Sequence, residues 1–211
     1  MGRSRNKKIK GQSDLRILNF NINGLMYHQK TLLTQMVDND YDVITLQETF
    51  TSSEGARSLK IPGYQKFPKD SETPAPDQQG VPPNNLDATV GFPPPPRGLV
   101  TYVKTSLKAS KPATQPAFCD KGEFLTTCIS TGSRHVKILN YYISPSFKPE
   151  HRNYDFSGFL SGSYIMAGDA NADPARTDTA QGEHLYKALE THPFICLVNN
   201  TSPTNFTTLE S

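Results

Sequence analysis

Cysteine is scarce in this 211-residue chain. Cys119, Cys128 and Cys196 are the only three, and no two have Cys-x-x-Cys spacing. An odd number without framework spacing argues against a disulfide scaffold and fits free, buried thiols in a reducing compartment. The five histidines, His28, His135, His151, His184 and His192, are scattered, so the short ligand spacing of a zinc site is missing. Long apolar runs are missing too. No stretch approaches the roughly 20 residues that span a bilayer, and the basic head leads into no apolar leader core. An intracellular chain without a membrane anchor is expected. Hydrophobic residues make up only 35% of the sequence, below the usual share of a globular domain, which predicts extensive loops around one core.

What is present is unevenly placed. The net charge is +2, but Arg3, Arg5, Lys7, Lys8 and Lys10 give the first ten residues +5, leaving −3 on the remainder. Residues 1–13 are polar and basic without apolar periodicity, the pattern of a disordered, anion-seeking head or of an ordinary solvated terminus. Nine of the 17 prolines fall between residues 68 and 96, among them Pro82, Pro83 and the run Pro93 to Pro96. That stretch reads as a long irregular insertion. Residues 14–211 then form one domain.

Regular structure is predicted on either side of the insertion. Arg16 to Phe20 reads as a strand ending at Asn21-Ile22-Asn23-Gly24-Leu25. Met26, Leu32, Leu33, Met36 and Val37 recur at helical spacing, and Asp42 to Gln47 is a second strand ending at Glu48. Strand, helix, strand in this order suggests a parallel pair. Beyond the insertion, Arg97 to Val103 reads as a strand, and Glu123 to Ser130 with Val136 to Ile143 as a hairpin. A short helix is expected around Tyr154 to Leu160, a buried strand from Tyr164 to Gly168, a helix over Gln181 to Thr191 and a strand over Phe194 to Val198. The mixture is α/β: a two-sheet β-sandwich with one core.

Polar residues gather where these strands finish: Asn21, Glu48, Tyr142, Asp169 and Asn171. Gly168-Asp169-Ala170-Asn171 alone also suits a turn, because Asp and Asn side chains bond to nearby backbone. Five strand ends together suit a further task. Two carboxylates can hold a hard cation through oxygen, and amides with a phenol can bond phosphate oxygens at a crowded phosphorus.

The order of these segments resembles the endonuclease/exonuclease/phosphatase superfamily, and within it the apurinic-like endonuclease domain of non-LTR retrotransposons. The likeness rests on Asn21-Ile22-Asn23-Gly24-Leu25, Leu46-Gln47-Glu48-Thr49, Ile61-Pro62-Gly63-Tyr64 and Arg97-Gly98-Leu99-Val100. Further along it rests on Tyr142-Ile143-Ser144-Pro145, Gly168-Asp169-Ala170-Asn171 and Ser202-Pro203-Thr204-Asn205-Phe206-Thr207. The resemblance implies a DNase I-like fold flanked by helices and Mg²⁺-dependent hydrolysis of a phosphodiester, with Mn²⁺ as a substitute. It implies a monomer that nicks DNA in the nucleus, with a reverse transcriptase domain in the parent polyprotein. Glu48 and Asn21 would hold the metal. Asn21, Tyr142, Asp169 and Asn171 would be catalytic, Tyr142 against phosphate and Asp169 on the attacking water.

Two departures accompany the likeness. Ala170 stands where the family has a bulky apolar residue. The family's later Asp-bearing strand and Ser-Asp-His motif do not occur in these 211 residues, so a C-terminally truncated domain of weakened activity is expected. The alternatives are another phosphoesterase of the superfamily, acting on a lipid, a phosphoinositide or RNA, and a non-catalytic nucleic-acid-binding remnant.

Overall fold

The structure, a computed structural model, describes residues 15–25, 28, 39–50, 60–69, 97–119, 122–131, 135–145, 154–159, 163–173, 175 and 178–191. The basic head, most of the predicted helix after Leu25, the Pro-rich insertion beyond Lys69, the predicted strand Phe194 to Val198 and the Ser202 to Thr207 segment lie outside the described residues.

Among the described residues, eight strands form two four-stranded sheets. The first holds β1 (Ile17–Asn21), β2 (Val43–Gln47), β3 (Tyr64–Pro68) and β4 (Val100–Lys104), in the order β1-β2-β4-β3. The second holds β5 (Lys108–Ser110), β6 (Glu123–Ser130), β7 (His135–Tyr142) and β8 (Tyr164–Asp169), in that order. The pair β1-β2 is parallel, as its strand–helix–strand pattern predicts, and Leu25 and His28 carry helical backbone between the two strands. The hairpin β6-β7 is antiparallel, with Glu123 opposite Tyr142, and β8 joins β7 in parallel, with Tyr142 opposite Asp169. A 3-10 turn at Ser157–Phe159 stands where a short helix is expected, and one longer helix, α1 (Ala180–Glu190), follows β8. Thr179 caps α1 by accepting a bond from the Gly182 N–H at 3.1 Å.

The alternation of side chains along the strands decides the layers. Ile44 and Leu46 of β2 face an apolar cluster with Phe20, Ile22, Leu25 and Tyr102, while Val43, Thr45 and Gln47 face the opposite sheet. Leu139 of β7 and Ile143 just beyond it face an aromatic cluster around Phe118, which stacks on Phe156 at 5.1 Å and meets Phe124 edge-on at 5.0 Å. Leu185 of α1 closes that cluster. Ile138, Asn140 and Tyr142 point the other way, between the sheets.

The seam between the sheets changes character along its length. At one end Val43, Val103, Ile129 and Ile138 make it apolar. In the middle it is built of amides. Asn140, fully buried, donates to the carbonyls of Leu46 at 3.1 Å and Val100 at 3.0 Å and accepts from Gln47 Nε2 at 2.7 Å. Gln47 Nε2 also donates to Asn19 Oδ1 at 2.9 Å, Thr45 Oγ1 donates to the same oxygen at 2.8 Å, and Asn19 Nδ2 reaches the Gly168 carbonyl at 3.1 Å. This chain of bonds crosses from one sheet to the other and fixes their mutual register. Removing one member would leave buried partners unsatisfied, which costs far more than an ordinary hydrogen bond contributes.

Gly168 is required by a close approach rather than by a turn. A Cβ there would lie 2.2 Å from the Tyr141 carbonyl oxygen and 2.6 Å from its ring. Both cysteines within the described residues are free, Cys119 buried and Cys128 partly so. Among the described residues no helix is long and apolar enough to cross a membrane.

Two stability outcomes follow, both read from denaturant unfolding. Asn140→Ala should cost about 3 kcal/mol or more, because the Leu46 and Val100 carbonyls and the Gln47 amide all lose their partner. Gly168→Ala should cost about 1–3 kcal/mol through the clash with Tyr141. Losses well under 1 kcal/mol at both positions would contradict the seam as described.

Candidate functional site

Because β1 runs parallel to β2 and β7 parallel to β8, the carboxyl ends of all four strands can share one edge of the sandwich. The antiparallel neighbours begin at that edge: Val100 of β4 lies opposite Leu46, and Glu123 of β6 opposite Tyr142. The side chains expected from the sequence meet there. Asn21 Nδ2 donates to Glu48 Oε1 at 3.1 Å, across the first sheet, and to Asp169 Oδ2 at 2.9 Å, across the seam. One amide therefore ties together two carboxylates from different sheets. Asn21 and Glu48 are buried, at 7% and 9% exposure.

Local backbone geometry sets each group. Asn21 Oδ1 accepts from the Asn23 N–H at 3.2 Å, and Asp169 Oδ1 accepts from the Asn171 N–H at 2.8 Å. Both are side-chain-to-backbone turns two residues long, which Asn and Asp favour at the end of a strand. The turn chemistry and the site are thus the same geometry. Asn171, at φ 46°, sends its own Nδ2 to the Ile143 carbonyl at 2.9 Å, so it braces the loop behind Asp169. Glu48 and Phe50 hold left-handed conformations at φ 50° and 46°. Such conformations cost about 1–3 kcal/mol each and persist where the surroundings over-determine them. Here the carbonyls of Glu48 and Thr49 accept from Gly24 and Leu25 at 2.7 and 3.0 Å, and the N–H groups of Thr49 and Phe50 donate to Gly98 and Arg97 at 3.2 and 2.9 Å.

Tyr142 is buried, and its hydroxyl makes no well-formed hydrogen bond among the described residues although it lies by Glu48. Burial first, and then the adjoining Glu48 carboxylate, pushes its ionisation well above the ordinary tyrosine value. Tyr142 therefore keeps its proton beside the Glu48 carboxylate.

Two residues with a part here were not among the candidates from the sequence. Arg97 NH1 pairs with Glu48 Oε2 at 3.0 Å. Glu123 accepts from the Arg97 N–H at 2.6 Å and from the Gly98 N–H at 3.0 Å, holding the entry to β4 against the second sheet. Gly98, at φ 85°, packs so closely that a Cβ would lie 2.6 Å from Thr49 Oγ1. The Arg97-Gly98 pair just before a strand was the available signal. The role of Glu123 appears only once β6 is set beside β4.

Oxygen donors dominate the site. Among the described residues no group of three or more His, Cys, Asp or Glu side chains stands together to hold a metal. Glu48 and Asp169 with the Asn21 amide oxygen fit a cation of the magnesium type, which takes one or two carboxylates and fills its other positions with water and substrate oxygens. The Asn21 oxygen also accepts from Asn23, and a carbonyl has a second lone pair to offer. Neither His135, at the far end of β7 from Tyr142, nor His184, exposed on α1, stands at this edge.

The buried phenols give a pH dependence with a definite sign. Burial raises Tyr102, Tyr141 and Tyr142 above their ordinary value of 10.0. The folded state then keeps protons that the unfolded chain loses. Their contribution to stability should be complete below pH 10.0 and fall away as pH rises beyond it. Thermal unfolding measured across an alkaline series should show this loss, and Tyr142→Phe should lessen it. An unchanged alkaline slope in Tyr142→Phe would count against a buried, neutral phenol.

Comparison with known proteins bears on the fold and the family. A search of curated protein sequences gave no significant match. Among solved structures, the AP endonuclease LMAP from Leishmania major superposes with a TM-score of 0.54 at 17% identity, over 83% of this chain and 66% of that one. The endonuclease domain of TRAS1, a telomere-specific non-LTR retrotransposon, gives 0.54 at 16% identity, over 84% and 71%. The 3'-5' exonuclease NExo from Neisseria meningitidis gives 0.52 at 17% identity, over 83% and 71%. The chain thus spans about two thirds of the length of these structures, and at such identities the likeness is one of fold. The model of the Endonuclease/Exonuclease/phosphatase family matches residues 18–210. With that match across most of its length and a two-sheet, DNase I-like fold, the chain belongs to the endonuclease/exonuclease/phosphatase family.

Proposed function

We propose that the chain is a Mg²⁺-dependent phosphodiesterase that nicks DNA, of the non-LTR retrotransposon type, with Mn²⁺ able to substitute. The observation that carries the reading is the Asn21 amide, which holds Glu48 and Asp169 side by side at one edge of the sandwich. Two carboxylates held together in this way invite a cation, and members of the family are typically metal-dependent hydrolases.

Each residue has a part that its geometry suits. Glu48, with Asn21 beside it, would hold the cation, whose chemistry would be to polarise the phosphate and neutralise developing charge. Asp169 has both oxygens oriented, one by Asn21 and one by the Asn171 N–H, and still has lone pairs free to take a proton from water. Asn171 positions that carboxylate from behind. Tyr142 offers its O–H to a phosphate oxygen, a phenol being protonated at neutral pH. Such groups stabilise a crowded phosphorus centre by electrostatics rather than by covalent chemistry.

The resemblance to the TRAS1 domain in fold, together with the sequence segments around Asn21 and Glu48, supports DNA as substrate. On this reading the parent protein carries a reverse transcriptase domain and acts in the nucleus. No Ser-Asp-His sequence occurs in the 211 residues, and the nicking proposed for them is correspondingly weak.

Supercoiled plasmid incubated with Mg²⁺ should be converted slowly to the open circle, and chelation should stop the conversion. Glu48→Gln and Asp169→Ala should each lower the rate about a hundredfold or more. Nicking indifferent to Asp169→Ala would reject the site. Faster release of phosphate from a phosphoinositide or from RNA in a parallel panel would move the substrate assignment to that class.

A further inference from the structure

Both Glu48 oxygens already accept a hydrogen bond. Oε1 takes the Asn21 amide at 3.1 Å, and Oε2 takes the Arg97 guanidinium at 3.0 Å. A cation bound at Glu48 would be brought close to that guanidinium, and like charges at such range repel strongly in a partly buried setting. The carboxylate is almost enclosed, whereas the Arg97 side chain is 37% exposed and so is the partner able to leave.

We propose that Arg97 is a displaceable counterion. It neutralises Glu48 in the metal-free protein and passes to a DNA phosphate when a divalent cation takes Glu48. The inference rests on the proposed metal-dependent reading of this site, and adds to it a coupling between metal binding and DNA binding.

Three features make the exchange feasible. The Arg97 main chain is anchored independently of its side chain: its N–H donates to Glu123 Oε1 at 2.6 Å, and its carbonyl accepts from the Phe50 N–H at 2.9 Å. Swinging the side chain away therefore leaves the entry to β4 intact. The guanidinium lies 5.4 Å over the Phe50 ring, which is 50% exposed, so a planar cation has a face along which to move toward solvent. The freed guanidinium is a rigid fork of donors that matches phosphate oxygens two at a time. The edge then never holds its carboxylates without a cation, nor two cations on one carboxylate.

The test begins without DNA. Mn²⁺ binding to the whole chain is followed by loss of the free-ion paramagnetic resonance signal, in the wild type, Arg97→Gln and Arg97→Lys. Removing the competing charge should tighten Mn²⁺ binding about tenfold in Arg97→Gln. Arg97→Lys, which keeps the charge, should stay near the wild type; equal tightening there would point to a disturbed fold and overturn the proposal.

The second arm follows binding to an uncleaved DNA duplex over a salt series, with Ca²⁺ or with chelator. With Ca²⁺, Arg97→Gln should lower the slope of log affinity against log salt by about 0.9, the value of one phosphate contact. With chelator it should leave the slope unchanged. Equal Mn²⁺ affinity in wild type and Arg97→Gln, or a slope lost equally in both conditions, would overturn the exchange and leave the metal-dependent reading standing. Absence of Mn²⁺ binding in all three proteins would overturn both.

Discussion

Asn21 donates from one nitrogen to two carboxylates that belong to different sheets. The rest of the edge depends on that arrangement. Glu48 and Asp169 repel each other, and burial of Glu48 removes water that would screen them. The amide bridges them, and Arg97 supplies one positive charge on the far side of Glu48. With two carboxylates and one guanidinium the edge keeps a net negative charge, which favours a further cation.

The support lies directly beneath. The seam passes from aliphatic contacts around Val43 and Ile138, through the amides of Asn19, Gln47 and Asn140, to the carboxylates at the edge. Each step is more polar than the last and closer to solvent. The buried amides have a purpose that an aliphatic seam could not serve, since Asn140 bonds to main-chain carbonyls of two neighbouring strands and to Gln47. That fixes register to within one residue, and a slip of one residue would turn Asn21 or Asp169 away from the other. One acceptor in the seam, Gln47 Oε1, has no protein partner among the described residues.

Much of this was legible in the sequence for a simple reason. A short apolar run followed by Asn, Glu or Asp marks where a buried strand emerges, and β1, β2, β6, β7, β8 and α1 all lie within a residue or two of their expected positions. The strand before Asp169 runs through that residue rather than stopping at Gly168, because Gly168 is there for contact with Tyr141 and not to break the ladder. β3 and β5 were missed. Tyr64–Pro68 ends in proline and has charged and polar residues between its aromatics, and Lys108–Ser110 has three residues, too few to show a period. Both are outer strands, where sequence is least constrained by burial. The pairing of Arg97 with Glu48 was not legible, since 49 residues separate them and nothing local to either predicts the meeting. Nor was the depth of Asn140, a polar residue within an apolar strand that local pattern reads as a surface position.

The bond from Asn21 to Asp169 joins the two sheet ends. A double-mutant cycle on folding stability measures it directly, with Asn21→Ala, Asp169→Ala and the pair. A coupling of about 1–3 kcal/mol is expected, as for residues in one polar network. Losses that simply add, within about 0.5 kcal/mol, would mean that the two carboxylates share an edge without forming one site.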